Sequence, residues 1–155
     1  MGKTKRGKGT KIMVLADGSG TPIGVHVASA SPSEMTLVEA TLDNVSVAKT
    51  HTRGRPRKRP DRVVADKGYD SNNVRKTLDN LGIEPIIPKR ENNTVATHQD
   101  GRKLRRYRNR WIVERTNAWI QNFRRLVVRY ERDVDHFTGL LYMACALITL
   151  KRVMK

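Results

Sequence analysis

Two carboxylates stand where their spacing could support chemistry. Asp66 closes the short β-branched run Arg62-Val-Val-Ala-Asp66 and is followed by Lys67-Gly-Tyr-Asp-Ser71. That pattern predicts a buried strand with an acid at its carboxyl end, where open α/β sheets place their ligand groups. Glu114 lies in Tyr107-Arg-Asn-Arg110-Trp-Ile-Val-Glu114-Arg-Thr-Asn-Ala-Trp-Ile-Gln121, within a helix predicted over residues 104–126. With Glu114 at the origin of a helical projection, Tyr107 falls at about 20°, Arg110 at about −40° and Gln121 at about −20°. Ile112, Thr116, Trp119 and Phe123 fall on the opposite side and form a packing face. Glu114 therefore belongs to a polar stripe that the core does not claim. Hard carboxylate oxygens hold Mg²⁺ together with substrate phosphate. A pair of such ions can activate a water or a 3′-hydroxyl and stabilise the departing oxygen. A strand-end Asp joined by a helix-borne Glu is what a ribonuclease-H-like nuclease or strand transferase requires. A plainer reading of Glu114 stays open, an exposed ion pair with Arg110 at i,i+4 worth about 0.2–0.5 kcal/mol.

The charge of the chain suits a polyanionic substrate. Lys and Arg number 31 against 15 Asp and Glu in 155 residues, a formal net charge of +16. A cation of that density raises the potential around it and favours nucleic acid. The competing reading is a generic basic protein that only neutralises phosphate. No apolar run approaches the ~18 residues of a membrane span, and Met1-Gly-Lys-Thr-Lys-Arg6 has neither a signal-peptide apolar stretch nor a myristoylation pattern. The expected setting is cytoplasmic and nucleoid-associated. One cysteine, Cys145, excludes an internal disulfide framework and a cysteine-based zinc site.

The elements that must position the two acids follow from periodicity and punctuation. Residues 1–10 read as a basic flexible segment. Lys11–Ala16 and Thr21–Ala28 flank Asp17-Gly-Ser-Gly20, which reads as a hairpin. Ser31-Pro32 signals a helix start. Arg53–Arg62 is a basic loop with two prolines, open to a solvated or a phosphate-contacting role. Ser71 caps a helix to about Asn80, Gly82 ends it, and Ile83–Ile87 makes a strand with an edge-type proline. A last helix runs from about Asp135 to Val153. This order is α/β with a mixed sheet, over one domain spanning 1–155.

Other residues carry less. Asp17 reads as a turn residue. His26, His51, His98 and His136 lack ligand spacing, and Cys145 reads as core. Trp111 and Trp119 read as packing groups, with base stacking the alternative. Tyr69 either contacts DNA or braces its turn.

Val64-Ala-Asp-Lys-Gly-Tyr-Asp-Ser71, with Tyr107-x2-Arg110-x3-Glu114, resembles the DDE transposases of bacterial insertion sequences, specifically the insertion sequence five family. Lys5-Arg-Gly-Lys-Gly-Thr-Lys11, Asp17-Gly-Ser-Gly-Thr-Pro22 and Ser31-Pro-Ser-Glu34 carry the same likeness. The resemblance implies a ribonuclease-H-like mixed sheet flanked by helices, truncated before its first strand, with an extra C-terminal helix. It implies DNA cleavage and strand transfer at insertion-sequence ends with Mg²⁺ or Mn²⁺. Asp66 matches the second metal-binding acid and Glu114 the third. Lys67, Tyr69, Tyr107, Arg110 and Gln121 are the DNA-binding candidates, Gln121 standing where the family signature has lysine. The first acid and the N-terminal DNA-binding region have no counterpart, so a split-frame or truncated portion is expected, inactive alone. The alternative is an inactive basic DNA-binding fragment. The implied partners are DNA, a homo-oligomer or an upstream-frame product. Without the first strand, Lys11–Ala16 and Arg62–Asp66 should show unpaired edges.

Overall fold

The structure, a computed structural model, describes residues 2–4, 7–47, 54–93 and 101–154. Strands β1 (Gly2–Thr4), β2 (Gly7–Ala16) and β3 (Pro22–Ser29) form an antiparallel sheet in that order. Strands β4 (Arg62–Val64) and β5 (Glu84–Ile86) form a separate parallel pair. Helices α1 (Val38–Asp43), α2 (Asn72–Asn80), α3 (Gly101–Leu104), α4 (Trp111–Gln121), α5 (Arg124–Val127) and α6 (Val134–Val153) complete the fold, with 3₁₀ turns at Glu34–Leu37, Lys67–Tyr69 and Arg105–Arg110.

The β2–β3 hairpin is the centre of the molecule because both its faces are apolar. Ile12 pairs with Val27 and Val14 with Val25, and this face packs on a core of Ile120, Phe137, Leu141 and Ile148 from α4 and α6. Leu15 projects the other way, into a second core of Leu42, Val74, Leu78, Ile83 and Ile87. That core also receives Val63 and Ala65 from the β4 segment, so it links the hairpin to the strand that leads to Asp66. Ser71 Oγ accepts the amide of Val74 and caps α2, and α2 gives way at Gly82 with φ 69°.

The architecture is α/β, but four expectations change in detail. The predicted single mixed sheet is two sheets, since no described strand bridges β2 and β4. The Lys11–Ala16 edge opposite β3 and the β4 edge opposite β5 thus have no strand partner among the described residues. The segment at 1–10, expected to be flexible, supplies β1 and the start of β2 through backbone pairing of Gly2 with Gly9 and Thr4 with Gly7. Its Gly and Lys residues give no apolar alternation to betray that pairing. The predicted helix over 104–126 is three pieces. Arg105-Arg-Tyr-Arg-Asn-Arg110 has no apolar stripe and winds as 3₁₀. Phe123 turns extended, with φ −85° and ψ 97°, and lies against the first core. The helix signalled at Ser31 begins with the 3₁₀ turn at Glu34, because Lys11 Nζ donates to Pro32 O at 2.8 Å and Thr36 Oγ1 to Ser33 O at 2.7 Å.

Candidate catalytic site

Asp66 follows β4 and starts the 3₁₀ turn Lys67–Tyr69, where its Oδ1 accepts the Gly68 amide at 2.7 Å. A Cβ at position 68 would lie 2.7 Å from that same oxygen, so the Lys-Gly-Tyr sequence keeps glycine where the carboxylate folds over the chain. The turn is clamped from outside. Arg90 donates through Nε to Lys67 O at 2.8 Å and through Nη2 to Gly68 O at 2.9 Å. Arg90 is itself located by its amide, which donates to Asp70 Oδ2 at 2.6 Å. Asp70, its side chain fully buried, forms an ion pair with Arg75 at 2.8 Å and accepts from Asn93 Nδ2 at 3.1 Å. Burial alone would raise the Asp70 pKa. The Arg90 amide, Asn93 and Arg75 outweigh it and hold the carboxyl below its ordinary value.

Tyr69 leaves this turn for the second core, and its hydroxyl donates to Glu34 Oε2 at 2.9 Å. Burial first, then the Glu34 hydrogen bond and the charges of Glu34 and Asp66, push the phenol pKa up. Lys67 is exposed and pairs with Glu91 at 3.0 Å.

Glu114 sits in the first turn of α4, its side chain 55% exposed, paired with Arg110 at 2.9 Å. Arg110 also lies over the Tyr107 ring at 5.7 Å, an i,i+3 contact that 3₁₀ winding favours by stacking those positions. The ion pair read as the plainer alternative is therefore present. Gln121 is exposed at the far end of α4. The helix is docked on the hairpin tip: Arg115 Nη2 donates to Ser19 O at 2.8 Å and Thr116 Oγ1 to Gly20 O at 2.8 Å. Gly20, at φ 90°, is in the left-handed region that favours glycine, and a Cβ there would meet Arg115 Nη2 at 2.9 Å. Asp17 closes that tip with Oδ1, which accepts from the Ser19 amide, Ser19 Oγ and the Thr21 amide at 2.7–2.8 Å. It is a turn residue, as read.

The two acid-bearing segments meet through the 3₁₀ turn at 105–110, which packs against β4. Lys103 ties that approach to β5 by pairing with Glu84 at 2.8 Å, and the Lys103 hydrogen bond holds the Glu84 carboxyl below its ordinary value. No hydrogen bond or ion pair joins Asp66 to Glu114. Among the described residues no group of three His, Cys, Asp or Glu is placed to share a metal.

A family model described as "Transposase DDE domain" matches residues 1–149. The chain belongs to this DDE transposase family. A Burkholderia cepacia protein described as "Putative transposase for insertion sequence element IS402" is 38% identical over 147 residues, 93% of this chain and 65% of the relative. The DDE chain thus spans about two thirds of the length of that curated relative. No solved structure matches it.

The family is generally divalent-metal dependent, and the two acids of this DDE chain have the donor chemistry for it. Both offer hard carboxylate oxygens. Asp66 Oδ1 is occupied by Gly68, while Oδ2 accepts no hydrogen bond from the described residues. Among the described residues Glu114 is held by one exposed arginine.

Sequence reasoning missed the Asp70–Arg75–Arg90 clamp, whose members have no local pattern linking them. It also missed Arg115, whose guanidinium lies 4.6 Å from the Trp111 ring and 4.9 Å from the Trp119 ring. There a signal existed: Trp at both i−4 and i+4 of an Arg. Trp111, at 51%, stays substantially exposed. His26 and His136 join no metal group. Cys145 is buried in the first core, and burial pushes its thiol up to about 11. His51, His98 and Arg53 lie outside the described residues. Within the basic loop, Arg57 is pinned to Asp61 and bridges to Val47, while Arg55, Lys58 and Arg59 are exposed. No helix among the described residues is long and apolar enough to cross a membrane.

Proposed function

We propose that this chain is the catalytic portion of a bacterial insertion-sequence transposase of the insertion sequence five type, cleaving DNA at element ends and joining the freed ends to target DNA. The observation that carries this reading is the family match across residues 1–149; by sequence resemblance Asp66 and Glu114 stand as the second and third acids. In the proposed site Asp66 and Glu114 hold Mg²⁺ or Mn²⁺, and the family's remaining carboxylate comes from outside the residues named here. Metal bound there would activate the attacking water or 3′-hydroxyl and stabilise the departing oxygen. The chain's own work is positioning. The clamp at Asp70 and Arg90 fixes the Asp66 turn, and Arg110 exchanges Glu114 for a backbone phosphate, a partner it can grip in bidentate fashion. Lys67, Tyr107 and Gln121 line the approach, with Tyr69 bracing the turn from below. The net charge of +16 supplies binding that weakens as salt rises.

A second reading, an inactive basic DNA-binding fragment, is favoured by one observation. Each acid already has a structural occupation without metal, Asp66 with Gly68 and Glu114 with Arg110. Cleavage and strand transfer on labelled element-end DNA in Mg²⁺, measured with the remaining acid supplied by an added polypeptide segment, separate the two. The enzyme reading expects metal-dependent cleavage that Asp66→Asn and Glu114→Gln each abolish while DNA binding persists. Binding without cleavage in the parent protein would establish the fragment. Cleavage that survives both substitutions would overturn the assignment of these residues.

A further inference from the structure

The basic loop that leads into β4 takes no part in the acid pair or its clamp. Residues Gly54 to Arg59 are all exposed, yet the loop is held at its base. The backbone of Arg57 pairs with Val47 in both directions, at 2.8 and 2.9 Å. The Arg57 guanidinium is committed within the loop, to Asp61 and, through Nε, to Arg59 O at 3.0 Å. Asp61 O in turn accepts the Glu84 amide of β5 at 2.9 Å. The exposed side chains of Arg55, Lys58 and Arg59 have no ion-pair partner among the described residues. We propose that Gly54-Arg55-Pro56 enters the minor groove of A·T-rich duplex DNA, with Arg55 reading the groove and Lys58 and Arg59 on the flanking phosphates.

The order of residue types favours groove entry over a simple phosphate contact. A phosphate needs only a cation, which any exposed lysine or arginine provides. The minor groove is ~6 Å wide, so it admits a single thin length of chain. Gly54 puts no side chain beside Arg55. Pro56 has a compact ring and no amide, and it disfavours a helical turn at Arg55. Residues 54–56 accordingly lie in neither helix nor strand, and Arg55 is the one long side chain among them. In the minor groove A·T pairs present only the acceptors A N3 and T O2, whereas G·C adds the guanine amino donor. A guanidinium, which only donates, matches the first pattern and conflicts with the second. A·T tracts also narrow the groove and deepen its negative potential, which draws arginine. The loop is separate from the acids, since Arg62 to Asp66 spans about 13 Å of extended chain with the loop at one end and Asp66 at the other. It would therefore meet duplex that flanks the reacting phosphate. This proposal rests on the DNA-acting reading of the chain but not on its cleavage activity.

The test is fluorescence anisotropy of the 155-residue chain on labelled duplexes of equal length, with circular dichroism to confirm that each variant folds. An A·T duplex should bind about tenfold tighter than a G·C duplex at the same salt. An inosine·cytosine duplex, which lacks the guanine amino group but keeps the major-groove edge of G·C, should bind like A·T. Arg55→Ala should weaken A·T binding about tenfold and G·C binding far less. Lys58→Ala should weaken all three duplexes alike and lower the salt slope by about one. Equal affinity for A·T and G·C would overturn the proposal. So would an inosine duplex that binds like G·C, or an Arg55→Ala loss that falls equally on every duplex. The cleavage assay reads out separately: cleavage without A·T preference keeps the catalytic reading and removes this one, and A·T preference without cleavage keeps this one with the inactive fragment.

Discussion

The two acids of the candidate site are built in opposite ways. Asp66 is one end of a chain of support that runs through Gly68, Arg90 and Asp70 to Arg75, with Asp70 fully buried. Glu114 stands on an exposed helical turn with one partner among the described residues, Arg110. A carboxylate bonded to the backbone of a clamped turn is preorganised and cannot move far without losing that bond. One held by a surface arginine can change partners at little cost. The difference assigns rigidity to the strand-end acid and adaptability to the helical one, and it separates what mutation should do to stability from what it should do to DNA chemistry.

The largest expected effect breaks the rigid half. Arg75→Met leaves the Asp70 carboxylate buried without its cation, a change of the kind that costs about 3–5 kcal/mol. Urea denaturation checks it. The same pair predicts a pH dependence. The folded-state pKa of Asp70 is lowered, so on acidification the unfolded chain takes up its proton first, near pH 3.9. The stabilisation is therefore complete above that region and is lost as pH falls through the folded-state value. In Arg75→Met the slope of stability against pH over this acid range should flatten. An unchanged slope would mean that the Arg90 amide and Asn93, rather than Arg75, hold the Asp70 carboxyl in its charged form.

The next effect sharpens the role of the turn. Gly68→Ala places a methyl against Asp66 Oδ1, whereas at Gly18 an added methyl meets nothing within 4 Å. Loss of the Asp66 cap should cost about 1 kcal/mol, against less than about 0.5 kcal/mol for Gly18→Ala, a surface change. Thermal melts of the two variants provide the comparison. If Gly68→Ala melts with the parent, the carboxylate has room to move and the contrast with Glu114 disappears.

How much of this was legible follows from which interactions are local. The hairpin could be read because Ile23, Val25 and Val27 alternate around a turn rich in glycine, and α2 because Ser71 caps it in place. Asp66 could be placed because strand, acid and turn are contiguous in sequence. The break of the predicted 104–126 helix could not. Its apolar positions keep helical spacing through Phe123, where the backbone turns extended with the ring against the first core. The split into two sheets depends on pairings between distant strands, which no single strand encodes. The Asp70–Arg90 contact spans 20 residues and joins polar groups that read as surface in sequence. The packing face of α4 was legible, with Thr116 fully buried. The stack of Arg115 between two tryptophans became visible only with the helix in place.

The smallest stability effect should come from Glu114→Gln. The lost contact is an exposed i,i+4 pair, worth about 0.2–0.5 kcal/mol. The lost charge also faces the N-terminal end of the α4 dipole, a contribution of about 0.3–1 kcal/mol at low ionic strength. Both terms are screened by salt, so in moderate salt the variant should unfold within about 0.5 kcal/mol of the parent, with unchanged far-ultraviolet dichroism. That near-neutrality is what makes Glu114 informative, because any loss of DNA cleavage in a variant so nearly intact belongs to chemistry at the carboxylate. Were Glu114→Gln instead to destabilise as strongly as Arg75→Met, Glu114 would be a structural anchor, and the asymmetry between the two acids would be false.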